Sequence, residues 1–241
     1  MLNTQISIYG LMIAISLIVN IIIVILISFD EKVKKEDILI SIIYEFIGII
    51  YGGKILTYLL NFQEVDGKFD FASLGFSSYG GIIGAIVFLS LYCTIFKKNE
   101  KEILHIFILP IPLVYAIGKI GCFFAGCCYG IEYSGIGSVI YNYSSVAPNG
   151  IKLFPVQAVE TIVFFIIFIL YMKNRKKLDK TILVIDLIIV CGSAKFILDY
   201  FRINHINKII TGNQIISIIF ILLALGIKRM RKYNIAKKTR V

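Results

Sequence analysis

Seven apolar runs, each long enough to cross a hydrocarbon core about 30 Å thick, constrain this chain more than any other feature. They fall at roughly 5 to 29, 38 to 60, 79 to 96, 103 to 122, 154 to 172, 181 to 199 and 212 to 228. In lipid every backbone polar group must be satisfied internally, so runs of this length fold as helices. With 58% hydrophobic residues and a mean hydropathy of +0.87, the 241-residue chain is too apolar for an ordinary soluble domain. The expected fold class is therefore all-α, a polytopic membrane protein with about seven transmembrane helices. The first run follows a segment, Met1 to Gln5, without Lys or Arg, and lacks a small-residue cleavage site, so it reads as a retained span. We expect one integral membrane domain over residues 1–241, with outer loops at about 61–78 and 123–153, the second forming a small head region.

Charge in the connecting segments sets the orientation. Segments 30–37, 97–102, 173–180 and the tail from Lys228 together hold eighteen Lys and Arg residues, whereas the alternate side holds four: Lys68, Lys152, Arg202 and Lys208. This split places the N-terminus outside and the C-terminus in the cytoplasm. It also accounts for the net charge of +10, since basic residues gather where anionic inner-leaflet lipid would meet them. No basic domain or recognition motif supports binding of nucleic acid.

Three cations remain inside the runs: Lys54, Lys119 and Lys195. A mid-helix lysine costs on the order of 2.5–3.5 kcal/mol on insertion scales, so each invites a functional account. Snorkelling of the long stem to the interface is the bland alternative. Depth and company favour a site. Gln157 and Glu160 share one helical face at the outer start of the fifth run, and Lys195, Asp199 and Arg202 are spaced i, i+4, i+7 at the outer end of the sixth. Tyr79, Gly80 and Gly81 enter the third run at the same level. Glu45 and Asp186 lie deeper or toward the inner side. Ion pairs that merely join helices are the competing structural reading. The outer polar layer reads instead as a place to hold an anion in lipid.

The segment AIGKIGCFFAGCCYG, Ala116 to Gly130, concentrates the awkward residues. Gly118 and Gly121 allow close helix approach, and FFAGCCYG reads as a turn just beyond a span end. With Lys119 beside it, such a turn offers amides and a cation to a phosphate. The C-x4-C-C spacing of Cys122, Cys127 and Cys128 is not a recognised zinc pattern, so no metal and no cofactor is expected. Cys122 and Cys127 either pair in an oxidising exterior or pack as small apolar groups, the favoured reading. Cys93 and Cys191 read as filler.

At these residues the chain resembles the prolipoprotein diacylglyceryl transferase family. GKIGCFFAGCCYG resembles the family's signature segment, and further blocks follow in the family's order: YGLMIAI from Tyr9, GGKILTYLL from Gly52, YGGIIGA from Tyr79, SVAPNGIKLFPVQAVE from Ser145, KFILDYFR from Lys195 and GNQIIS from Gly212. The resemblance implies a seven-helix enzyme of the bacterial cytoplasmic membrane, with its active site toward the outer leaflet. The reaction it implies moves the diacylglyceryl group of phosphatidylglycerol onto the lipobox cysteine of prelipoprotein signal peptides, forming a thioether and releasing glycerol phosphate. Its partners would be that lipid, the prelipoproteins and the surrounding membrane lipid.

On this reading Lys119 and Lys195 pair with lipid phosphate, and Arg202 gates or supplements them. Glu160 and Asp199 orient the cations, Gln157 positions, and Tyr79 with Gly80 and Gly81 lines the reaction centre. The catalytic set is Tyr79, Lys119, Lys195 and Asp199. The substrate-binding set is Gly80, Gly81, Gly118, Gly121, Gln157, Glu160 and Arg202. Lys119 and Lys195 stand where the family has arginines, Asp199 where it has Glu, Tyr79 where some members have His, and Cys122 and Cys127 where the common signature has Asn and Glu. A lysine retains charge but loses the planar fork that grips phosphate. The rival readings are a relative acting on another lipid or acceptor, and a non-enzymatic lipid-binding or transport protein.

Overall fold

The computed structural model describes the backbone of residues 2–60, 75–205 and 209–238, with side chains from 8 to 232 within those ranges except residue 204. Most of the outer loop expected at 61–78, together with Lys68 and Lys208, lies outside the described residues. Seven helical segments are long and apolar enough to cross a membrane. They are built from α1 (Leu2–Asp30), α2 (Lys35–Leu60), α3 (Ser78–Ile95), α4 (Glu100–Ile108) with α5 (Ile111–Ala125), α6 (Val156–Asn174), α7 (Lys180–Asp199) and α8 (Gly212–Lys238). Residues 130–153 add two short strands, β1 (Val139–Ile140) and β2 (Lys152–Leu153), paired antiparallel with Val139 opposite Leu153.

Helix ends follow local chemistry. Asp179 caps α7 by accepting from the Thr181 and Ile182 amides at 2.9 and 3.1 Å. Thr211 and Gln214 form a capping box at α8: the Thr211 hydroxyl accepts from the Gln214 amide at 3.2 Å, and the Gln214 side chain accepts from the Thr211 amide at 3.0 Å. The expected single run at 103–122 is broken at Leu109–Pro110 into α4 and α5. Pro110 has no amide to donate and its ring opposes the preceding turn. Its carbonyl then accepts from Leu113 and Val114 at 3.0 and 3.1 Å and starts α5.

The chain divides into two compact units, Ile23–Ile108, and Met1–Ile22 with Leu109–Val241. In the first, α2 and α3 meet along glycines at i, i+4 on each helix. A Cβ on Gly48 would lie 2.3 Å from the Gly84 carbonyl oxygen, and one on Gly52 would lie 2.3 Å from that of Gly80. The converse contacts, at Gly84 and Gly80, are 2.0 and 2.3 Å. This is backbone-on-backbone packing through small residues, the usual solution where lipid removes the hydrophobic drive between helices. The buried Tyr92 hydroxyl reaches Asp37 at 3.2 Å, and Lys98 pairs with the same carboxylate at 2.8 Å.

In the second unit, Ala116 of α5, Phe164 of α6 and Leu198 of α7 form a core with Tyr115, Val159 and Ala194 against it. The head packs Tyr141, Ala147 and Leu153 around its strand pair. Its first extended residues run beside the segment after α7: Ile131 donates to the Phe201 carbonyl at 3.0 Å and Ile203 donates to that of Tyr129 at 3.2 Å. Helix α5 runs through Ala125, past the turn expected to begin at Phe123, because the left-handed backbone that stops it is at Gly126, φ 71°.

The glycine contact gives a direct test. Gly84→Val is expected to destabilise the protein by about 1–3 kcal/mol, the usual cost of overpacking, while Gly226→Ala, where nothing lies within 4 Å, leaves thermal unfolding in detergent nearly unchanged.

Candidate functional site

One face of α5 carries Tyr115, Lys119 and Cys122 at i, i+4 and i+7. Opposite Tyr115 and Lys119 stands Glu160 of α6, 1% exposed. The Lys119 ammonium lies 3.0 Å from Glu160 Oε2. Oε1 of the same carboxylate accepts from the Tyr115 hydroxyl at 2.9 Å and from Arg202 Nη2. Arg202 Nη2 also reaches the Tyr115 oxygen at 3.3 Å. Lys195 of α7 places its ammonium 4.6 Å from the centre of the Tyr115 ring, and Lys119 lies 5.2 Å from it. Tyr115 thus offers its face to two cations and its hydroxyl to the carboxylate they surround.

Asp199, the last residue of α7, lies 3.8 Å from Arg202 Nη1. Its other oxygen accepts from the Thr211 hydroxyl, the same hydroxyl that caps α8. The carboxylate is therefore held between the two helices that the 200–211 segment joins. Arg202 is fixed from a third direction, because its residue forms an antiparallel bridge with Gly130 of the head. A Cβ on Gly130 would meet the Phe154 carbonyl at 2.3 Å, so the strand runs close to the main chain there. Burial opposes the Arg202 charge, but Tyr115 and Glu160 more than offset it and raise its pKa above the ordinary value.

Counted formally, the group holds three basic and two acidic side chains, a surplus of one positive charge. Arg202 Nε is buried without a hydrogen-bond acceptor among the described residues, as is Gln157 Oε1 on the accepting side. A buried donor left open beside excess positive charge is suited to an anionic oxygen supplied from outside the protein. Gln157 donates to the Cys127 carbonyl at 2.9 Å and so ties α6 to the turn after α5.

The structure therefore brings together Lys119, Glu160, Lys195, Asp199 and Arg202, with Gln157 fastening the adjoining turn. Lys119 stands six residues before the end of α5, a turn deeper than expected from a span ending at 122. Gly121 faces α1, where a Cβ would lie 2.9 Å from that of Met12, and Gly118 meets Ile13 at 3.8 Å. Tyr79, Gly80 and Gly81 belong to the other unit. There Tyr79 is 4% exposed in the first turn of α3, Gly80 is used in the contact with Gly52, and a Cβ on Gly81 would lie 3.1 Å from Phe76. Asp186 pairs with Lys228, away from the Lys195 face. Sequence reasoning passed over Tyr115, four residues before Lys119, and Thr211, whose T-x-x-Q pattern carried the capping signal.

Comparisons with known proteins bear on this arrangement. The family model described as prolipoprotein diacylglyceryl transferase matches residues 1–229. A phosphatidylglycerol–prolipoprotein diacylglyceryl transferase of Clostridium tetani is 31% identical over 93% of this chain and 94% of its own length. A protein of Clostridium perfringens, named as a second such transferase, is 27% identical over 96% of this chain and 93% of its own. One from Dehalococcoides mccartyi is 35% identical over 68% of this chain and 65% of its own.

Removing the central carboxylate should leave buried cations uncompensated. Glu160→Gln is expected to lower stability by on the order of 3 kcal/mol, read as a lower unfolding midpoint in detergent, whereas Thr211→Ser, which keeps the hydroxyl, changes it little.

Proposed function

Because this chain belongs to the prolipoprotein diacylglyceryl transferase family, we propose that the buried cation cluster around Glu160 holds the phosphate of phosphatidylglycerol while its diacylglyceryl group moves to a protein thiol. The enzyme is a multi-pass membrane transferase. The acceptor sulfur forms a new C–S bond with the glyceryl carbon, and the C–O bond to phosphate breaks. The thiol proton passes to the departing phosphate or to solvent, and glycerol phosphate leaves with the electron pair of the broken bond. Negative charge grows on the phosphate oxygen as that bond lengthens, and fixed cations at that point stabilise the transition state more than the bound lipid.

The observation that carries this reading is the unpaired Arg202 Nε inside a buried group with surplus positive charge. Lys119 and Lys195 supply further charge toward the same oxygens. Glu160 and Asp199 hold the cations in place, so that little reorganisation accompanies the reaction. Tyr79 is proposed, on the resemblance, as a hydrogen-bond donor to substrate. The eighteen basic residues on one side support an outside N-terminus, a cytoplasmic C-terminus and a site toward the outer leaflet of the bacterial cytoplasmic membrane. The acceptor is the lipobox cysteine of a prelipoprotein signal peptide.

The test is transfer by purified protein in detergent, with phosphatidylglycerol labelled in its glyceride moiety and a lipobox peptide. Label is expected on the cysteine peptide and not on its Cys-to-Ser counterpart. Lys119→Ala should lower turnover by about 10²–10³-fold, the range for losing a group that stabilises developing charge. Lys119→Arg, which restores the family's fork, should retain it. Binding of the lipid without any transfer would favour a non-enzymatic lipid-binding protein.

A further inference from the structure

Three thiols converge where α5 gives way to the head. Cys122 lies in the last full turn of the helix, Cys127 and Cys128 follow its end, and all three Sγ atoms lie within 4.8 Å of one another. The backbone creates this convergence. Gly126 turns left-handed, the Cys127 amide bonds back to the Cys122 carbonyl at 3.1 Å, and Cys128 takes φ 54°, a conformation that residues with a Cβ rarely adopt. All three are free thiols.

Packing as small apolar filler accounts for Cys122, which is buried, but not for Cys127, which is half-buried, or Cys128, which is exposed. One disulfide would use two sulfurs and leave the third beside them. A tripod of thiolates around a d10 ion at about 2.3 Å sets its sulfurs about 4 Å apart, within the 4.8 Å that bounds all three separations here.

We propose that Cys122, Cys127 and Cys128 form a three-thiolate site for a soft cation, Zn²⁺ or Cu⁺, built into the turn that ends α5. Binding replaces the three thiol protons by the metal: three S–H bonds break, three metal–sulfur bonds form and three protons leave to solvent, with no change of oxidation state. A fixed cation stands close by to balance the charge of bound thiolates. Lys119 stands three residues before Cys122 on the same helix face. Sulfur ligation without histidine suits Cu⁺ in trigonal geometry, and suits Zn²⁺ with one further ligand from solvent through the exposed Cys128 side. The site stands independently of the transfer reaction proposed above.

The experiment uses full-length protein purified in detergent, reduced with a phosphine, stripped with a chelator, offered Zn²⁺ or Cu⁺ in separate arms and then desalted. About one ion per chain should be retained in at least one arm, and at least tenfold less in Cys127→Ser and Cys128→Ser, with Cys93→Ser and Cys191→Ser unchanged. A readout needing no substitution is mass-mapped maleimide labelling, in which bound metal should slow modification of Cys127 and Cys128 at least tenfold. Retention below about a tenth of an ion per chain in both arms would overturn the proposal. So would retention untouched by Cys127→Ser, or protein isolated with two of the three thiols already joined as a disulfide.

Discussion

The carboxylate of Glu160 is the point on which the second unit depends. It pairs with a lysine of α5 and accepts from an arginine of the segment after α7 and from a tyrosine of α5, while itself belonging to α6. An ionised carboxylate alone in such a place would be far too costly to keep, as would the two cations without it. Together they replace water for one another. The same contacts that allow charge to be buried also hold α5, α6 and the end of α7 in register, so the polar site and the helix packing are one arrangement.

Two backbone devices carry this precision outward. The antiparallel bridge between Gly130 and Arg202 sets the guanidinium by main-chain hydrogen bonds, which leave less freedom than helix packing alone. The capping box at Thr211 ties Asp199 to the start of α8. On the function proposed above, fixed positive charge would rest on a scaffold whose adjustable side chains are short of freedom at both ends.

The seven crossings were legible because lipid as a solvent leaves so few solutions for long apolar runs. The break at Pro110 was equally visible, but counting hydropathy across it hid the two helices. The glycine contact of α2 and α3 carried its signal in a spacing of four on each helix, which a count of hydropathy does not register. Within the site the charged residues announced themselves by their cost in lipid. Tyr115 did not, since an aromatic residue on an apolar face looks the same whether its hydroxyl is used or idle. The Thr211 cap was written in its pattern, but its bond to Asp199 depends on how close two helices come, which periodicity does not encode. The left-handed backbone at Cys128 had no sequence signal, so the convergence of Cys122, Cys127 and Cys128 was not legible in their spacing.

The order in which the clustered charges occur along the chain has a consequence for biogenesis. From the N-terminus they read Lys119, Glu160, Lys195, Asp199, Arg202, strictly alternating in sign. As synthesis proceeds, the running charge of the cluster rises to one positive unit and returns to zero, never exceeding one unit of either sign. Each crossing thus enters the bilayer with its electrostatic partner either already present or next in line, and the translocon never has to accommodate two like charges of this site without their counterion between them.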